Sequence, residues 1–191
     1  MHITQEYYQS LHFIPLSVLL ENYSEEFITN LCQTFQCNKN KDLENFIKDK
    51  HKAISFEKRN ITKTYLYISD NKKIIAYFTI ALNVLDTTNI SKSTVKKMDG
   101  IDKNRSEIAC FLIAQLGKSD TCSYLIGSAI LQDAIDTITE ASQIIGGRII
   151  VLDAINHKKV IHFYEKHHFV NLEPNLDKEN IKMYYPLYLE T

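Results

Sequence analysis

The chain has 191 residues, 45% of them hydrophobic and 24% charged, with a formal net charge of −1. These figures describe an ordinary soluble globular protein able to bury a real core, and they exclude a disordered or fibrous chain. The near-zero charge excludes nucleic-acid binding driven by a general basic excess, while leaving room for a local basic patch.

Met1 to Ser10 is polar and tyrosine-rich, without a basic stretch leading into an apolar one. No run reaches the ~18 apolar residues that span a bilayer, so a cytoplasmic protein is expected, with no membrane partner. A single α/β domain over 1–191 is expected, with residues 1–34 as an N-terminal extension. Phe13 to Leu16 reads as an extended entry. Ser24 to Thr34 reads as a helix, with Phe27, Ile28, Leu31 and Phe35 on one face. Asp42 to Ser55 reads as a second amphipathic helix, with Leu43, Phe46, Ile47 and Ile54 toward the core. The cysteines Cys32, Cys37, Cys110 and Cys122 form no CxxC pair and no metal-ligand spacing, which points to reduced, buried thiols.

The period then changes to two. Thr64 to Ile68 is a strand, 69–72 a turn and Lys73 to Leu82 the returning strand of a hairpin. Asp86 to Asn104 is polar and lysine-rich, a long surface loop with room for one helical turn, of the kind that serves as a lid. Ile108 to Leu116 is nearly continuous apolar sequence, which predicts a strand buried on both faces. A polar loop over 117–124 opens a long helix, Ile126 to Ile145, closed by Gly146 and Gly147. Arg148 to Asp153 is another buried strand, His157 to His167 a helix, Phe169 to Leu172 a short strand and Met183 to Leu189 the last strand. The order places a parallel βαβ unit at the centre of a mixed sheet.

A buried strand running through a polar loop into a long helix offers an anion site. The free N–H groups and positive dipole end of that helix suit a diphosphate. Gly127 lets a ligand approach the backbone, and Ser128 adds a hydroxyl donor. The bland alternative is an ordinary strand-loop-helix, which many α/β proteins contain. The same holds for Phe163, Tyr164 and Phe169, which could be core aromatics of an amphipathic helix.

Taken together, these segments resemble the GNAT superfamily of acetyltransferases. Its pyrophosphate loop reads Q/R-x-x-G-x-G/A; with the last glycine at Gly127, this chain has Cys122 and Leu125 at the other two key positions. Its closing F-Y-E-K-x-G-F signature is similar to Phe163-Tyr164-Glu165-Lys166-His167-His168-Phe169, with His168 in place of glycine. A narrower resemblance, to the toxin-like branch, rests on four segments: Phe35 to Asn38, Leu43 to Ile47, Thr64 to Leu66 and Ala76 to Ile80. The resemblance implies a GNAT-like mixed sheet and transfer of acetyl from acetyl-CoA to a primary amine. The acceptor is open among a small molecule, a protein and aminoacyl-tRNA. It implies Tyr164 as general acid toward the leaving thiolate, since a phenol can lend that proton. Backbone N–H groups around Leu116 and Lys118 would polarise the acetyl carbonyl. Gly127, Ser128, Asn156 and Phe163 would hold the cosubstrate, with His157 one register from Asn156. Glu107, beside the buried strand, is the nearest carboxylate for deprotonating the amine. The branch also implies an antitoxin partner; a homodimer is left open.

No metal is expected, because His157 and His162 are five apart with no acidic partner at i+4. Two other classes stay open at this level. One is a weak or inactive GNAT-fold module that binds acyl-CoA or a protein; the other is an unrelated α/β protein.

Overall fold

Short apolar clusters at three- and four-residue spacing make the early part of the chain helical. The computed structural model describes residues 2–172 and 179–188. Helix α1 (His2–Gln9) leads to strand β1 (His12–Pro15) and helix α2 (Leu16–Asn22), which buries Leu16 and Leu19. Helix α3 (Glu25–Cys32) begins at Ser24, whose hydroxyl accepts the Phe27 N–H at 3.2 Å. Only Ile28, Leu31 and Cys32 of α3 turn inward. Phe27, expected on the core face, is 38% exposed and stacks on Tyr23.

The single helix expected from Asp42 to Ser55 is two, α4 (Lys41–Lys48) and α5 (Ala53–Lys58). Asp49 divides them. Its carboxylate accepts the His51 N–H and its carbonyl accepts the Lys52 N–H, both at 2.9 Å. Aspartate offers the backbone such local turns in competition with helix.

Strands β2 (Lys63–Ile68) and β3 (Ile74–Asp86) form the expected hairpin, with Thr64 opposite Thr79 and Leu66 opposite Tyr77. β3 continues past Leu82, the end that the sequence suggested, to Asp86. The loop expected from Asp86 to Asn104 contains a formed helix, α6 (Lys92–Asp99). The Ser91 hydroxyl caps it on Thr94 N–H, Val95 and Met98 are buried, and Gly100 ends it at φ +86°.

Strand β4 (Glu107–Lys118) is followed by helix α7 (Gly127–Ile145), strand β5 (Ile149–Ile155), helix α8 (Lys158–Lys166), and strands β6 (Val170–Asn171) and β7 (Asn180–Pro186). The expected end of the last strand, Leu189, lies outside the described residues. β4 is not buried on both faces throughout. Glu107 and Ala109 are exposed, while Ile108, Cys110, Phe111 and Ile113 are buried, so its first half alternates before becoming continuous. Gly146 and Gly147 take φ of +79° and +121° at the exit of α7, and a methyl at Gly147 would overlap the Phe111 ring.

The strands form one seven-stranded mixed sheet in the order β1-β2-β3-β4-β5-β7-β6. β4 and β5 are parallel and joined through α7, as expected of the βαβ unit. Their ladder covers only Phe111 with Ile150 and Leu112 with Val151, whereas β5 pairs antiparallel with β7 from Ile149–Pro186 to Ile155–Asn180.

The chain divides into two compact units. One comprises residues up to Ala81 with Gln115–Ala134, and the other Leu82–Ala114 with residues from Ile135 onward. The first is built on Leu16, Ile28, Phe35, Ile47, Leu66 and Tyr77, so α2 and α3 supply core rather than appendage. The second is built on Leu85, Met98, Ile108, Ile149, Val151 and Tyr184. All four cysteines are buried and unpaired, and burial pushes the Cys32 thiol up to about 12 and Cys110 up to about 11.

Candidate functional site

The first unit contains the end of β4, the loop after it and the start of α7. Leu116 is half-buried and Gly117 buried; a methyl at Gly117 would come within 2.6 Å of Leu43 Cδ1, so β4 approaches α4 closely there. The Lys118 ammonium donates to the Cys122 carbonyl. That bond occupies the lysine within its own loop.

Other bonds fix the loop further. The wholly buried Ser119 donates its N–H to the Ile75 carbonyl at 2.7 Å and shares a 2.8 Å hydroxyl contact with Thr121. Asp120 N–H donates to the Gln36 carbonyl at 2.8 Å, and its carboxylate accepts the Asn38 N–H at 2.6 Å. Gly127, half-buried, and Ser128, exposed, open the 19-residue α7. A helix of that length leaves its first N–H groups without intrahelical partners and carries a positive dipole end, which favours an anion.

The two departures from the loop motif differ physically. Cys122 is 3% exposed and part of the loop's interior, whereas Leu125 is 85% exposed and contributes nothing to the core. Sequence reasoning missed Ser119, Asp120 and Thr121, although three consecutive short polar residues after Gly117-Lys118 are a turn signal.

The second unit holds Asn156, Phe163 and Tyr164. Asn156 follows β5 and donates its N–H to the Glu179 carbonyl at 2.9 Å. His157 is the N-cap of α8, its Nδ1 accepting the Lys159 N–H at 3.3 Å. Phe163 is half-buried, with its carbonyl 2.7 Å from His167 Nδ1.

Tyr164 lies edge-on to Phe163 and to Phe169, at centroid distances of 5.2 Å and 5.6 Å. Its hydroxyl has no hydrogen-bond partner among the described residues. Burial among these rings pushes its pKa up to about 12. The phenol therefore keeps its proton at neutral pH and is a donor without an acceptor among the described residues. Glu107 lies in the same unit, exposed at the start of β4.

The end of α8 explains how Tyr164 is held. His168 N–H donates to the Glu165 carbonyl at 3.0 Å, and Phe169 N–H to the Tyr164 carbonyl at 3.1 Å. This pair is a Schellman closure, and the Tyr164–Phe169 ring contact is the apolar contact that accompanies one. His168 occupies its left-handed position, at φ +66°. An L-residue there costs roughly 1 kcal/mol that glycine avoids. His168→Gly is therefore expected to stabilise the protein by about 0.5–1 kcal/mol, raising the urea midpoint without altering the slope of the transition. A lower midpoint would show that the exposed imidazole contributes more than the strain removes.

Among the described residues, no group of three or more His, Cys, Asp or Glu could hold a metal ion, and no helix is long and apolar enough to cross a membrane.

No protein-family model and no curated protein matches the chain. Solved structures do match in fold. A tyrosine-to-phenylalanine mutant of KacT superposes with a TM-score of 0.72 at 17% identity, covering 94% of this chain and 96% of that one. AtaT complexed with acetyl-methionyl-tRNAfMet gives 0.65 at 18% identity, covering 81% and 86%. AtaTR bound with acetyl-CoA gives 0.66 at 15% identity, covering 94% of each chain. The chain thus has the GNAT fold, the mixed α/β architecture of these structures.

Proposed function

We propose that the protein is an acetyl-CoA-dependent N-acetyltransferase whose acceptor is the primary amine of an aminoacyl-tRNA, acting as a toxin. The observation that carries this reading is Tyr164: a protonated phenol, without a hydrogen-bond partner among the described residues, on the helix after β5 in a chain with this fold. Similar folds were solved with acetyl-CoA and with an acetylated aminoacyl-tRNA, and an AtaT toxin bound to antitoxin and acetyl-CoA carried a tyrosine-to-phenylalanine change.

In this reading the N–H groups at the start of α7, with Gly127 and Ser128, take the diphosphate of the cosubstrate. Asn156 and Phe163 are further residues that would hold the cosubstrate. Backbone donors at Leu116 and Lys118 polarise the thioester carbonyl. Lys118 acts through its backbone, because its ammonium already serves the Cys122 carbonyl.

The neutral amine attacks the carbonyl carbon, the C–S bond breaks, and the sulfur leaves toward the Tyr164 hydroxyl. A thiol has a pKa near 8.5, so a phenol at about 12 is roughly 3.5 units the weaker acid. Tyr164 therefore stabilises the leaving thiolate chiefly as a hydrogen-bond donor, and any proton it gives up is returned from the amine by way of solvent. Glu107, exposed at the strand start, serves as the terminal proton acceptor.

The helix that carries Tyr164 also exposes Lys158, Lys159, His162 and Lys166, with His168 exposed just past its end. That local basic face supports an RNA-borne acceptor despite the net charge of −1.

The test uses radiolabelled acetyl-CoA with aminoacylated and with deacylated tRNA. Label is expected in acid-precipitable RNA only when the tRNA is charged, and mild alkaline hydrolysis should release it as N-acetyl amino acid. Calorimetric binding of acetyl-CoA without transfer to any amine would instead establish the binding-module reading. Absence of both would overturn the proposal.

A further inference from the structure

The loop before α7 lacks two of the residues that its motif resemblance would supply, yet it is held, and part of the hold comes from the N-terminal helix. The Tyr7 ring stacks on Tyr124 with centroids 4.1 Å apart and planes 20° from parallel. Burial, and after it the neighbouring Cys122 thiol, raises the pKa of the Tyr7 hydroxyl. One residue on, Tyr8 donates to Asp133 of α7, and Tyr67 of β2 donates to the same carboxylate. α1 thus stacks on the loop and is hydrogen-bonded to the helix that follows it. Thr4, Gln5 and Tyr8 face Leu125 and Ser128 across a groove of about 530 Å³.

We propose that Tyr7 and Tyr8 are positioning residues for the nucleotide end of acetyl-CoA: α1 fixes the 119–126 loop and walls the groove at the first turn of α7. The proposal rests on the acetyl-CoA reading above. The physical argument is preorganisation. A phosphate-binding loop must present its N–H groups in one arrangement, and a loop with Cys122 and Leu125 at two of its key positions is helped to this by contacts from outside it. An aromatic stack of this kind is worth up to roughly tenfold in an equilibrium constant.

The test compares acetyl-CoA with acetyl-pantetheine, a thioester without the diphosphate and adenosine, on the full-length protein. Tyr7→Ala is expected to raise KM for acetyl-CoA about tenfold, with kcat within about twofold. Tyr7→Phe keeps the stack and should restore most of that loss. KM for acetyl-pantetheine should stay unchanged in both variants, which a merely structural defect would not produce. Tyr8→Phe, losing the bond to Asp133 but not the ring, should give a smaller rise for acetyl-CoA alone. An unchanged KM for acetyl-CoA in Tyr7→Ala, an equal rise for both thioesters, or a fall in kcat alongside a lowered melting temperature would each overturn it. Wild-type protein that does not bind acetyl-CoA removes the enzyme reading as well; wild-type binding that is indifferent to Tyr7 removes only this inference.

Discussion

Tyr164→Phe is expected to lower kcat for acetyl transfer by about a hundredfold or more, with KM for acetyl-CoA within about twofold. The substitution removes one oxygen and leaves the ring edge-on to Phe163 and Phe169. Because that oxygen has no partner among the described residues, its loss breaks no bond to any of them, and the fold is expected to keep its stability. A kcat effect without a KM effect is the mark of an interaction made only as the thiolate departs. The pH profile adds a check. With the phenol held up to about 12, activity should show no alkaline fall attributable to Tyr164 until pH exceeds about 11. A Phe variant with near-wild-type kcat would show that the sulfur leaves unaided, and Tyr164 would then be a packing residue only.

The second large effect concerns the fold. Glu57 is 3% exposed at the end of α5, and its carboxylate accepts the Thr64 N–H at 2.8 Å and the Lys63 ammonium at 3.0 Å. Thr64 is itself buried, so Glu57→Ala leaves an N–H without an acceptor at the first turn into β2, and an ammonium without its counter-ion. Losing a charged acceptor under these conditions costs about 3 kcal/mol. In a chain of this size that lowers Tm by roughly 10 °C, read by calorimetry. Glu57→Gln keeps an oxygen for the Thr64 N–H and should lose about half as much. If Ala and Gln behave alike, the Lys63 pair rather than the backbone bond is what matters.

How much of this was legible beforehand depended on the kind of signal. The β2–β3 hairpin and the β4–α7–β5 crossover were readable because alternating or continuous apolar runs leave little choice of period. The division of 42–55 was not, since one aspartate in a lysine-rich stretch looks like solvated helix surface until its carboxylate is seen on the His51 N–H. Helix α6 buries only Val95 and Met98, too few for a periodic pattern, although Ser91 and Gly100 marked its ends. α1 carries no apolar stripe and is held by tyrosines whose partners, Tyr124 and Asp133, lie far along the chain. A single sequence does not disclose such pairs. At the candidate site, the F-Y-E-K run located Tyr164, and the histidine in place of glycine was visible. That the histidine takes the left-handed conformation and keeps the helix closure was not.

Strand β7 follows β6 in the chain but lies between β6 and β5 in the sheet. Its Tyr185 ring packs 5.3 Å from Phe169, the residue that backs Tyr164. During synthesis, therefore, the phenol emerges from the ribosome before the strand that braces its support. A nascent chain stalled ahead of Asn180 would leave β5 and β6 without the strand that pairs with both, and Phe169 unbraced. The packing around Tyr164 is thus completed only once translation has passed that point.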